Sequence, residues 1–414
     1  MPGIFRLFDI FALLYVFRSF QLTAVIWREW RQLVAEPFTR KKKRLAEQAS
    51  FFISVPIGVL VHEFGHALAT WLFGGRVVEF GYRAFWGYVI PSGEFSATQE
   101  WFISLAGTLG SLLFGVGIWL LFRRHKASTL RYFGLRSARF QVYFSLIYYP
   151  VFTLLGFLGD WRTIYNFQAT PLASAMTAPF HAGLLFLFWW GDRAGWFEMP
   201  HHESAIEREQ FLTLLTETAA NPHDARLQLS YIDALRRGGA VNQAKRKLAR
   251  FIQQHPDSAS GYLQLATVKT AGQTHIPKEA VEASQKALSL GLADARQAAF
   301  AHQLIGRHYL DVGDADQVIT HLSQAVTLLN GTAAVNPAQV AQLLHWRSQA
   351  YRRQRRYEQA YQDLCQAITS TRKAGDEQMA SFYQSDLDVL AQHAGRAFPA
   401  PSAETISQGG DLSA

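Results

Sequence analysis

The sequence predicts an all-α polytopic membrane protein with a short β-hairpin insertion, joined to a soluble α-helical repeat domain. Three observations predict it. Aromatic and aliphatic runs fill the chain before about residue 196, several of them near the roughly 20 residues that cross a bilayer. One of these, residues 50–75 (SFFISVPIGVLVHEFGHALATWLFGG), holds no ionisable side chains other than His62, Glu63 and His66. After Trp196 the chain turns polar and rich in Ala, Gln and Leu, and small and bulky residues recur in it at intervals.

At 414 residues the chain has material for about two domains. An N-terminal apolar helix and a basic juxtamembrane segment occupy 1–49, a membrane core 50–200 and helical repeats 203–398. The tail 399–414 is rich in Pro, Ser and Gly and is expected to be disordered. The single Cys365 excludes an internal disulfide framework and a metal site built from cysteines. The net charge of +8 comes from Lys and Arg clustered beside the apolar runs. Its expected partner is therefore the lipid bilayer and not nucleic acid.

Residues 7–27 are apolar but carry Asp9 and Arg18, and their polar residues do not gather on one face. They read as an extra transmembrane or in-plane helix. Arg28, Arg31 and the run Arg40–Arg44 follow as a basic juxtamembrane segment. In the next helix His62 and His66 lie four apart on one face, where both can offer an imidazole nitrogen to one metal ion. Glu63 stands about 100° round the helix. From there it can take a proton from metal-bound water and pass it to a leaving amine. A bare H-E-x-x-H also arises by chance on soluble helices. Ionisable groups in hydrocarbon are costly, however, so three together there point to function.

On these residues the sequence resembles the site-2 protease family of intramembrane zinc metalloproteases, over about Ser50–Trp161. The resemblance implies Zn2+ as cofactor and, as substrate, a membrane protein cut within or near its transmembrane segment. Gly74-Gly75 ends the span, and residues 76–90 (RVVEFGYRAFWGYVI) read as a strand or short hairpin closed by Pro91-Ser92-Gly93. In the family such a β element is thought to meet the unwound substrate; a purely structural hairpin is the alternative.

Trp101–Phe122 is a second span, and its segment Ala106-Gly107-Thr108-Leu109-Gly110-Ser111 lets another helix approach closely. The family carries Ala-Gly-Pro and then Asn here, where this chain has Thr108 and Ser111, so the Asn's role is not assigned to Ser111. Gln141–Gly159 reads as a third span. A zinc ion on two histidines needs another protein ligand and keeps one position for water. The family supplies an Asp within Leu-Asp-Gly after a Pro-containing turn. Here Pro150 precedes Gly159-Asp160, so the resemblance implies Asp160 as the ligand; the alternative is a helix-end Asp paired with Arg162. Pro171–Trp190 is a further span, whose His181 reads as a core or cavity histidine. Asp192, His201 and His202 carry no motif.

Loops 28–49 and 123–139 are rich in Lys and Arg, whereas 75–100 holds only Arg76 and Arg83, and 160–171 only Arg162. That asymmetry places the basic loops and the C-terminal region in the cytoplasm. The resemblance implies the opposite run for the motif helix, toward the cytosol.

In the C-terminal region Gly239, Ala244, Leu248, Phe251 and Pro256 align with Gly306, Tyr309, Gly313, Val318, Leu322 and Ala325. A further copy holds Tyr351, Ala360, Leu364 and Ala367, and a looser one Ala280 and Ala287. These positions resemble tetratricopeptide arrays of about four helix pairs, with Asp376–His393 as a capping helix. Such arrays bind a protein or peptide partner; plain helical hairpins are the alternative. Two functions of different class follow. One is a zinc metalloprotease in which His62, His66 and Asp160 hold zinc, Glu63 is the general base, and the repeats recruit substrate or regulator. The other is a catalytically inactive membrane-anchored adaptor that binds through its repeats. A zinc-dependent transporter or metal sensor is a further reading.

Overall fold

The computed structural model describes residues 2–156, 159–332 and 336–399, with side chains from residue 11 onward. The tail expected to be disordered lies, apart from Pro399, outside the described residues. The chain forms two units, Met1–Ala220 with Ala234–Gln243, and Asn221–Asp233 with Ala244–Ala414.

The first unit opens with α1 (Pro2–Arg28) and α2 (Trp30–Val34), then α3 (Arg40–Phe52) and α4 (Ser54–Leu72), which meet at a turn on Ile53. A helix end leaves carbonyls without partners. At this junction the hydroxyls of Tyr15 and Ser19 on α1 donate to Phe51 O (2.5 Å) and Phe52 O (2.7 Å).

Two lysines of the basic run at the start of α3 bond to backbone carbonyls, while Arg40, Lys41 and Arg44 stay exposed. Lys42 Nζ donates to the carbonyls of Ala35 (2.6 Å) and Pro37 (2.9 Å), and Lys43 Nζ to those of Met199 (3.0 Å) and Gly239 (3.1 Å). Lys41 pairs with Glu29 at 2.9 Å.

After α4 the expected hairpin forms from β1 (Arg76–Tyr82) and β2 (Gly87–Ser92), antiparallel, with Tyr82 opposite Gly87 and a register shift between Val77 and Glu79. The bulge bends the strand and leaves Val78 exposed. A capping box on Ser96 and Gln99 then starts α5 (Ala97–Phe122). The small residues let α4 and α5 touch at backbone distance. A Cβ on Gly65 would lie 2.4 Å from Ala106 O, and one on Gly110 would lie 2.9 Å from Val61 O.

The expected third span does not form as a single element beginning at Gln141. Helix α6 (Ser128–Tyr143) runs into one π-helical turn (Phe144–Tyr148) and then α7 (Tyr149–Leu154), and Gly156 follows in the left-handed region at φ 95°. Pro150 has no N–H to return to Leu146 O, and the wider turn accommodates that loss. A short α8 (Trp161–Ile164) and α9 (Pro171–Arg193) follow, packed through Leu146, Trp161 and Ile164. Among the described residues three helical stretches are long and apolar enough to cross a membrane: Arg40–Leu72, Ala97–Phe122 and Pro171–Arg193. Neither 7–27 nor 141–159 is among them. Helix α10 (Ala205–Ala220) comes after these in the same unit.

Helices α11 (Ala225–Arg237) and α12 (Val241–Gln254) are shared between the units, and the second unit continues as α13 (Ala259–Thr270) and α14 (Lys278–Ser289). Then come α15 (Ala295–Val312), α16 (Ala315–Asn330), α17 (Pro337–Arg353), α18 (Tyr357–Lys373) and α19 (Glu377–Ala394), each packed on its sequence neighbours. The recurring residues of the repeat alignment form its interior. Ala244, Leu248, Ala280, Ala287, Val318, Leu322, Ala325, Ala360 and Ala367 are all fully buried. Gly306 lets Leu322 close in, since a Cβ there would lie 2.5 Å from Leu322 Cδ2. Between α17 and α18 a buried bidentate pair joins Arg347 to Asp363, at 2.9 and 2.6 Å.

Candidate metal centre

Helical spacing on α4 puts His62 and His66 on the face turned to α5. Each ring has one nitrogen held from behind. His62 Nδ1 meets Ser111 Oγ at 3.2 Å, and Ser111 in turn donates to Gly58 O at 3.5 Å. His66 Nδ1 donates to the Ile103 carbonyl at 2.7 Å. These partners leave both Nε2 atoms as the nitrogens with free lone pairs, the usual arrangement of ligating imidazoles.

Both Nε2 atoms face Asp160, whose Oδ2 lies 3.0 Å from each. Asp160 stands at the start of α8, yet its side chain makes no capping hydrogen bond there. The three ligand atoms lie within 4.8 Å of one another. Residues 53–196 match the family model Peptidase M50B-like. The match supports the site-2 protease family for this part of the chain: a metallopeptidase, typically zinc-dependent, with a membrane setting that the three apolar helices also support. No curated protein matches the sequence.

Within the M50B-like region the donor set suits zinc, two imidazoles and a carboxylate with room for one more ligand. The space for an ion is made by Gly107. A Cβ there would lie 2.3 Å from His66 Nε2 and 2.7 Å from His62 Nε2, so its absence opens the front of both ligand nitrogens. Glu63, one residue round the helix, is buried at 5% exposure and lines the same cavity of about 290 Å3 as His66, Tyr149 and Asp160. Strand β2 forms another wall. A Cβ on Gly87 would lie 2.6 Å from Glu63 Cγ, so only glycine lets the strand approach the carboxylate this closely.

His181 stays apart from this cluster. Its Nε2 meets Leu146 O at 2.8 Å, the carbonyl that Pro150 cannot serve, and its Nδ1 meets the Tyr165 hydroxyl at 2.6 Å. Both nitrogens are thus engaged, and the ring packs on Trp161 at 4.4 Å. Asp192 pairs with Arg139 at 2.8 Å. His201 donates its backbone N–H to Gly238 O, and His202 its own to Phe38 O.

Sequence reasoning missed two residues. Gly107 fell within the small-residue segment but was read for helix packing alone; its place between two ring nitrogens depends on how α4 and α5 cross. Tyr149 carried no signal at all. Its ring stands 5.5 Å from that of His62, and its hydroxyl accepts the Asp160 N–H at 3.2 Å. A periodic pattern would not bring it there, because the π-turn before it shifts the helix face.

Proposed function

We propose that the chain is an intramembrane zinc metalloendopeptidase that cuts a membrane protein within or near its transmembrane segment. The observation that carries this reading is the convergence of His62, His66 and Asp160 in front of Gly107, with the buried Glu63 carboxylate in the same cavity. The two Nε2 atoms and Asp160 Oδ2 would hold the metal. Bound there, zinc supplies a lowered pKa for water and polarises the scissile carbonyl. Glu63 accepts the proton from the attacking water and returns it to the departing amine. Strand β2 offers its unpaired edge to an extended substrate, and strand addition exposes one peptide bond to the cavity. Such a geometry calls for local unwinding of a transmembrane helix before cleavage.

The helices of the second unit serve, in this reading, as a tetratricopeptide-like array that recruits the substrate or a regulator. The burial of several aligned positions, among them Ala244, Ala280, Val318 and Ala360, supports this reading. The basic loops around Arg40–Arg44 and Arg123–Arg139 favour a multi-pass chain with that array in the cytoplasm.

The test is made on the full chain in lipid nanodiscs. Wild type should carry about one zinc per chain and cut a transmembrane peptide. Glu63→Gln should keep the zinc and lower kcat about 10²–10⁴-fold, as loss of a general base does. Loss of zinc in Glu63→Gln would make Glu63 a ligand. Zinc binding without any cleavage by wild type would sink the protease reading in favour of a binding role.

A further inference from the structure

Asp160 departs from the sequence pattern that the resemblance leads one to expect: its glycine precedes it, and its side chain makes no capping bond to the helix it begins. Something else has to hold it. The π-helical turn Phe144–Tyr148 sets the direction of the next residue, since an added residue turns a helix face by about 100°. Tyr148 is consequently exposed, whereas Tyr149 turns inward over His62. The Tyr149 hydroxyl accepts the Asp160 N–H at 3.2 Å, and both residues line the same cavity. Gly159 makes room for this. A Cβ on it would lie 2.5 Å from Thr153 Oγ1, 3.0 Å from Tyr149 Cε2 and 3.2 Å from the Tyr149 hydroxyl. The glycine before the Asp therefore admits both Thr153 and the tyrosine.

We propose that Tyr149 is a positioning residue for the metal centre, its hydroxyl holding Asp160 through the backbone N–H so that Oδ2 faces both histidine nitrogens. The inference rests on the metalloprotease reading of the site. A carboxylate ligand has several rotamers open to it unless its backbone is held in place. A hydroxyl that accepts from its backbone N–H fixes where that side chain starts and narrows the choice. Groups of this kind behind metal ligands change metal affinity typically by about 10–100-fold. The ring adds to the same effect by packing edge-on to His62.

The experiment measures zinc affinity of the full chain in nanodiscs by competition with a chromogenic chelator, alongside kcat at saturating zinc. Tyr149→Phe keeps the ring and removes only the hydroxyl. It should weaken zinc binding about 10–100-fold and recover near wild-type kcat once zinc saturates. If Tyr149→Phe binds zinc as tightly as wild type, the assignment is overturned. Normal zinc affinity with a kcat that stays low at saturation would also overturn it, and would place the hydroxyl on the substrate instead. If wild type itself binds no zinc, the metalloprotease reading fails, a result distinct from either of these.

Discussion

Gly107 on α5 stands so close to His66 on α4 that a Cβ on the glycine would lie 2.3 Å from the imidazole Nε2. A zinc ion sits about 2.0–2.1 Å from a ligating nitrogen, so a methyl group at this position takes the ion's place. Gly107→Ala should therefore lose zinc and proteolysis together, although the residue offers no ligand atom. Elemental analysis of the purified variant checks this, with circular dichroism to show that helix content is kept. Retention of one zinc per chain would mean that the glycine serves only helix packing.

Asp160 and His181 make a matched pair of tests for the third ligand. Asp160→Ala removes the oxygen 3.0 Å from both Nε2 atoms and should lose metal and activity together. Asp160→Asn should keep a weakened site, since the amide oxygen remains. His181→Ala should keep zinc near one per chain. It strands the buried Leu146 carbonyl, which costs about 1–3 kcal/mol and should appear as a lower melting temperature. The reverse pattern, zinc lost from His181→Ala and kept in Asp160→Ala, would move the third ligand to α9.

In the second unit, His302 Nδ1 and His321 Nδ1 lie 2.9 Å apart, and Tyr309 stacks on the His321 ring. Burial and the neighbouring His321 push His302 down from 6.5 to about 4. A histidine depressed in the folded state is held neutral there, so protons bind the unfolded chain more readily. Its contribution to stability is fully present above pH 6.5 and is lost as pH falls toward about 4. Both rings are partly exposed, and solvent screening keeps the effect modest. The melting temperature of this unit should fall across that window in wild type and fall less in His302→Gln. An equal fall in both would assign the acid sensitivity to other groups.

Much of the site follows from local periodicity. Residues four apart on one helix share a face whatever surrounds it, so His62 and His66 could be paired, and Glu63 set beside them, from spacing alone. The hairpin at Arg76–Ser92 was legible for a similar reason, because Gly74-Gly75 and Pro91 bound a β-branched and aromatic run. Several buried positions of the second unit were legible because small and bulky residues recur along its helices.

Which second chain segment reaches those residues is a matter of packing between distant stretches, and spacing within one helix carries no record of it. The crossing of α4 and α5 decided that Gly107 opens the metal-facing space and that Ser111 backs His62 Nδ1. The π-turn before Pro150 divided the expected third span, turned Tyr149 toward Asp160 and left Leu146 O for His181. Folding of Met199 and Gly239 onto α3 decided that Lys43 bonds to carbonyls, where charge counting had placed it at a membrane surface. The sequence by itself determined the chemistry on offer along each helix. The tertiary structure decided which groups meet, because helix contacts and the small residues that permit them are set between elements.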